Sequence, residues 1–262
     1  MTTVADILKC IETIAPRYMK MDWDNVGLNC GRSDREVKKV LVALDPFAHV
    51  CQEAKAWGAD LLVTHHALLW KPGFITDGTV QGSNTLFLIE NGIAHINAHT
   101  NFDCAPGGIN DVLAATLDLR EIQVTVPVGE DTEGRPYGLL RDGIVDEMPL
   151  EAFLEQVKSK LGTPVLRYAD GGKPVRRVAV GGGSCADAMR DALRAGCDTL
   201  VTSDARYNQF WDARDLGINL IDAGHFYTEN PACTALAQTL RDWFPEIEVK
   251  ISETHTDCMN FY

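Results

Sequence analysis

The sequence predicts an α/β fold of two duplicated lobes with mostly parallel sheets and a functional site at the strand ends between them. Three observations lead there. An apolar, β-rich segment recurs when the chain is slid against itself by 138 positions, pairing residues 40–66 with 178–204. Each copy reads as a short apolar run, an amphipathic stretch of helical length, a Gly-x-Asp turn and a second apolar run, the pattern of a βαβ unit. The likeness continues into GIAHINAH (92–99) and GINLIDAGH (217–225), and in both halves the His is followed four residues later by an acid, Asp103 or Glu229.

The elements follow in order. Val4, Ile7, Leu8, Ile11 and Ile14 lie on one face of an N-terminal helix. In the repeat Val40 matches Val178, Val42 matches Val180, Gly58 matches Gly196, Asp60 matches Asp198, and Leu62-Val63-Thr64 matches Leu200-Val201-Thr202. Between the copies lie strand-like pieces at 122–128 and 138–145, a helix opened by Pro149 and a turn from Asp170 to Pro174 that could separate the lobes. Residues 247–252 can return as a strand to either lobe. The first lobe is expected over 1–125, joined by the C-terminal segment, and the second over 126–262. Gly181-Gly182-Gly183-Ser184 reads as a tight turn into a helix. An anion cradle is disfavoured there, because neither the G-x-G-x-x-G spacing nor a P-loop Lys is present.

Ligands bind outside the carboxyl ends of strands in open parallel sheets. His65 and His66 follow the run Leu61-Leu62-Val63 after Thr64, and His225 and Glu229 follow the equivalent strand of the second copy. A lone His beside a strand is ordinarily structural. Paired His and two His-x-x-x-acid segments at strand ends instead predict a metal site built from His65, His66, Asp103, His225 and Glu229. Three imidazoles and two carboxylates without a thiolate suit zinc, iron, manganese, cobalt or nickel. Five ligands exceed the needs of one four-coordinate zinc, so two divalent cations about 3.5–4 Å apart are expected. Asp204, which replaces His66 in the second copy, and His99 are candidates for orienting the ligands. His49 and His255 read as surface residues, and His95 as a strand residue.

With Lys and Arg numbering 24 against 37 Asp and Glu, the net charge of -13 makes nucleic acid a poor partner. No apolar run reaches the roughly 18 residues of a membrane span, and the N-terminus lacks the form of a signal peptide. Eight scattered cysteines without a C-x-x-C pair suit reduced thiols in a cytoplasm. Apolar and aromatic residues in the loop 68–74 would need to be covered, as a closed homo-oligomer would do.

At these residues the chain resembles the NIF3 family, the GTP cyclohydrolase I type 2 homologues. The matching stretches are Trp23-Asp24-Asn25-Val26-Gly27-Leu28, Thr64-His65-His66, His99 to Asp103 with Gly107 to Asp111, Val178 to Ser184, and Asp222-Ala223-Gly224-His225 leading to Glu229. The resemblance implies two divalent metals held by the same five residues and assembly as a homohexamer. It also implies that the central domain inserted in some members is missing here. Ala67 stands where the family usually has Pro, and Asn208 where it usually has His. The implied function is a metal-dependent hydrolase acting through a metal-bridging hydroxide on a nucleotide- or pterin-like small molecule. The alternative is a non-catalytic metal-binding or regulatory protein.

Overall fold

A computed structural model describes residues 1–71 and 73–262, so Pro72 of the loop 68–74 lies outside the described residues. Helix α1 (Val4–Ile14) opens with a capping box: Thr3 Oγ1 accepts from Asp6 N, and the Asp6 carboxylate accepts from Thr3 N at 2.8 Å. Its apolar face buries Val4, Ile7 and Ile11. There follow β1 (Gly27–Cys30), β2 (Lys39–Ala43), α2 (Ala48–Trp57), β3 (Leu61–Thr64), α3 (Val80–Glu90), β4 (Ala94–Asn97) and α4 (Thr100–Cys104). The chain continues through α5 (Ile109–Thr116), β5 (Arg120–Val124), the short pair β6 (Gly129–Glu130) and β7 (Pro136–Tyr137), and β8 (Arg141–Met148). Pro149 caps α6 (Leu150–Leu161), which Gly162 ends in the left-handed conformation at φ 68°. Then come β9 (Arg167–Ala169), β10 (Val175–Val180), α7 (Met189–Arg194), β11 (Thr199–Thr202), α8 (Tyr207–Leu216), β12 (Asn219–Asp222), α9 (His225–Glu229), α10 (Pro231–Trp243) and β13 (Glu248–Ile251).

The chain divides into two compact units, Met1–Phe102 with Cys233–Thr256, and Asp103–Ala232 with Asp257–Tyr262. The first holds a five-stranded sheet in the order β1-β4-β3-β2-β13, parallel throughout except for β1. The second holds a six-stranded sheet in the order β5-β8-β10-β11-β12-β9, whose parallel centre β10-β11-β12 is flanked by antiparallel strands. The C-terminal segment returns as β13 to pair with β2. The turn Asp170–Pro174 lies inside the second unit. Every residue of β3, β4, β11 and β12 is buried, as expected for strands covered on both faces. Among the described residues no helix is long and apolar enough to cross a membrane.

The repeat survives to the level of single hydrogen bonds. Val40 pairs with Leu61 and Val178 with Thr199, which is the same register displaced by 138. Gly58 and Gly196 both end a helix or turn at positive φ, 76° and 82°, where a Cβ would be strained. The Asp60 carboxylate accepts from Lys38 N at 2.9 Å and Lys39 N at 3.1 Å. Asp198 repeats this with Arg176 N at 3.0 Å and Arg177 N at 2.8 Å. The recurring Gly-x-Asp is thus a clamp between a turn and the start of the neighbouring strand.

Two expectations are corrected. The glycine turn does not open directly into a helix: a 3-10 turn, Ala186–Ala188, precedes α7. In the loop 68–74, Leu68 and Leu69 pack into the core of the first unit, while Phe74 is 97% exposed. Because the two Asp clamps do the same work, Asp60→Ala and Asp198→Ala should lower stability by similar amounts, about 1–3 kcal/mol each, as backbone donors lose a charged acceptor. Urea unfolding of both variants measures this, and a loss confined to one of them would break the equivalence.

Candidate metal centre

Parallel strands deliver their following residues to one edge of a sheet. In the first unit β3 ends at Thr64 and hands on His65 and His66, while β4 ends at Asn97 and leads to His99. Backbone bonds hold both exits: Ala98 N donates to Thr64 O at 3.0 Å, and His66 N to Leu44 O at 2.9 Å. One donor atom from each of His65, His66 and His99 lies within 4.8 Å of the others.

Each imidazole has a polar neighbour at Nδ1. His65 Nδ1 lies 2.8 Å from Ala98 O, an acceptor only, so the proton sits on Nδ1 and Nε2 is the lone-pair nitrogen. His66 Nδ1 lies 2.6 Å from Asp45 Oδ1, and His99 Nδ1 lies 3.0 Å from Asp24 Oδ2. Burial opposes ionisation of Asp24, but hydrogen bonds from His99 and Thr100 outweigh it and hold the acid at about 2. Asp45 is likewise kept well below the carboxylate range by His255 and His66, against the penalty of burial. Imidazoles whose distal nitrogen is fixed by a carboxylate or carbonyl are the usual form of metal-binding histidine. Trp23 and Trp70 stand edge-on to His99, at 5.9 and 4.8 Å between ring centroids. Beside His66 a cavity of about 200 Å³ is lined by Asp45, Phe47, Trp70, Gln81 and Asn84.

In the second unit His225 and Glu229 are the first and last residues of α9, one turn apart, with His225 Nε2 3.0 Å from Glu229 Oε2. On the other side of the ring, His225 Nδ1 lies 2.6 Å from Asp204 Oδ2, at the end of β11. Burial disfavours the charged imidazole, yet Asp204 and Glu229 together raise His225 to about 11. The proton on Nε2 occupies the place where a cation would satisfy the same carboxylate and the same nitrogen. Asp103 and Glu229 are both buried, and a divalent ion would neutralise such acids where water cannot. The donor set therefore fits a borderline or hard divalent metal.

Several supporting residues escaped the sequence reading. A Cβ on Gly183, which has φ +62°, would overlap Glu229 Oε1 and stand 3.1 Å from His225 Nε2, so the glycine turn makes room for the candidate ligands. Asn110 ties the pieces together: its Oδ1 accepts from Gly182 N at 2.7 Å, and its Nδ2 donates to Asp103 O at 3.2 Å and Leu139 O at 2.6 Å. Arg141, 1% exposed, donates to Cys104 O at 3.1 Å and Ala105 O at 2.9 Å, fixing the backbone just after Asp103. His255, read as a surface residue, is a correction: its side chain is 4% exposed, with Nε2 2.9 Å from Asp45 Oδ2. It was missed because its partner is 210 residues away. His49 is exposed, and His95 lies in β4 with Nε2 2.8 Å from Thr64 Oγ1. Asn208 is exposed on α8.

Similarity to known proteins extends over nearly the whole chain. The family model described as Duf34/NIF3 (NGG1p interacting factor 3) matches residues 2–258. A Clostridium perfringens protein named GTP cyclohydrolase 1 type 2 homolog is 36% identical over 98% of each chain. A Lactococcus lactis protein of the same name is 31% identical over 99% of this chain and 98% of its own. Among solved structures, a Bacillus cereus protein related to NIF3 shares the fold with a TM-score of 0.93 at 24% identity, covering 100% of this chain and 99% of that one. Reduced HcgD from Methanocaldococcus jannaschii superposes with a TM-score of 0.80 at 28% identity, covering 96% and 98%.

Two outcomes follow. Gly183→Ala should weaken metal retention and lower the melting temperature, since its methyl group collides with Glu229 and a left-handed φ costs a non-glycine residue about 1–2 kcal/mol. Elemental analysis and thermal melting of the variant check this. In the metal-free chain Asp204 and Glu229 favour the protonated imidazole of His225, so metal uptake near neutrality should release a proton. The calorimetric enthalpy of metal uptake should therefore vary with the ionisation enthalpy of the buffer, and His225→Ala should remove one proton from that count.

Proposed function

Since the chain belongs to the Duf34/NIF3 family, we propose that it binds two divalent cations through His65, His66, Asp103, His225 and Glu229 and acts as a metal-dependent hydrolase on a small nucleotide- or pterin-like molecule. The observation that carries the reading is the fixed orientation of the three imidazoles: Ala98 O, Asp45 and Asp204 each engage an Nδ1 at 2.6–2.8 Å. Such pre-orientation has a use in metal binding and little in packing alone. Five ligands are more than one closed zinc site takes, which favours two cations.

When bound, paired divalent cations lower the pKa of water toward neutrality and polarise a substrate oxygen. This chain's own residues then have three tasks. Asp45 and Asp204 hold His66 and His225 in place and keep their electron density high. Trp23 and Trp70 limit water around His99. The cavity of about 200 Å³ beside His66, with Phe47 and Trp70 as flat walls and Gln81 and Asn84 as polar partners, has room for a small ring system. A purine- or pterin-like ring is also what the name of the curated relatives suggests. The protein is further proposed to be cytoplasmic and to assemble as a closed homohexamer, in which Phe74 would gain a neighbour.

The proposal is tested on metal-loaded protein. Wild type should hold two equivalents of metal per chain, and Glu229→Ala should lose most of it; unchanged metal content would remove Glu229 from the site. Against a panel of nucleotides, pterins and phosphodiesters, His66→Ala should abolish turnover while Cys104→Ser, a substitution at a buried thiol, keeps most of it. No turnover on any member by fully loaded wild type would favour a non-catalytic metal-binding role. Light scattering at micromolar concentration should give several times the 28.8 kDa chain mass, and a monomer mass would end the assembly proposal.

A further inference from the structure

Three parallel strands that lie side by side in the first sheet end at the same edge. There β3 is followed by His66, β2 by Asp45 and β13 by the segment that carries His255. The two oxygens of Asp45 are divided between the two imidazoles, Oδ1 lying 2.6 Å from His66 Nδ1 and Oδ2 lying 2.9 Å from His255 Nε2. The terminal torsion of an aspartate is broad and roughly two-fold, so one hydrogen bond does not fix the plane of the carboxylate. A second, on the other oxygen, does.

His255 is itself held firmly. Its backbone N donates to Ser252 Oγ at 3.1 Å. Ser252 Oγ and Thr254 Oγ1 donate to Glu53 at 2.5 and 2.7 Å, and Thr254 N donates to it at 3.2 Å, which ties the segment after β13 to helix α2. The ring stands edge-on to Phe47, 6.4 Å between centroids, and the side chain is 4% exposed. A histidine buried this fully, on the far side of the carboxylate that orients a candidate ligand, has no surface task to perform. We propose that His255 is a positioning residue: by holding Asp45 Oδ2 it sets the carboxylate plane, and through it the ring of His66, so that His66 Nε2 is aimed for metal binding. The inference rests on the metal reading given above and adds to it a residue from the C-terminal segment.

The test is zinc affinity of the purified chain, measured by competition with a chromophoric chelator, with thermal melting of the metal-free proteins alongside. His255→Ala should weaken zinc binding about 10–100-fold, the usual cost of losing a partner of a metal ligand. His255→Met, which fills the space without a donor, should behave like His255→Ala. His255→Gln, whose amide can donate to Asp45, should recover most of the affinity. Because the effect runs through Asp45, His255→Ala should add nothing in an Asp45→Ala background. Wild-type affinity in the Met and Ala variants overturns the proposal, and so does an equal loss in Met and Gln or a loss that persists without Asp45. A wild-type chain that takes up no zinc overturns the metal reading itself, and is distinguished from the other failures because it appears before any substitution is made.

Discussion

A carboxylate taken out of water must be compensated where it stands, and around the candidate centre this one requirement links segments that are remote in the chain. An isolated buried charge costs several kcal/mol, and four acids are found with compensation built in. Asp24 has Thr100 N at 3.0 Å and His99; Asp45 has His66 and His255; Glu229 has His225. Asp142, also buried, is held by Arg177 at 2.6 Å. Except for Glu229 and His225, which share α9, the acid and its partner come from different elements, so satisfying the charge also fixes the relative placement of strands, turns and short helices within a unit.

The duplicated scaffold shows how a repeat can keep its frame and change its chemistry. The frame is the shared register and the Asp60 and Asp198 clamps. Within it, position 45 carries an acid and position 183 a glycine, while position 66 carries an imidazole and position 204 an acid. Both units nevertheless arrive at the same device, an imidazole whose Nδ1 meets a carboxylate at 2.6 Å. They build it from non-equivalent positions. The glycine at 183 is what lets Glu229 approach, and the acid at 45 is what turns His66.

Charge distribution separates the two clusters in character. In the second unit two carboxylates flank one imidazole, a surplus of negative charge that raises His225 to about 11 in the absence of metal. In the first, three imidazoles share the space with acids that are already committed to them and to backbone donors.

Strand ends, the 138-residue repeat and the His-x-x-x-acid segments were legible in the sequence because they depend on local periodicity and on spacing within one element. Those signals located the parallel strands and the helix after Pro149, and singled out His65, His66, Asp103, His225 and Glu229 as candidates. The partners that orient them were not legible. Asp45 meets His66 across neighbouring strands, His255 reaches Asp45 from 210 residues away, and Gly183 is required both by its left-handed φ and because Glu229 occupies the space its Cβ would take. Sequence determined which residue types stand at the strand ends. Only the tertiary structure decided which of them face one another, because strand order and register bring together atoms that no pattern along the chain relates.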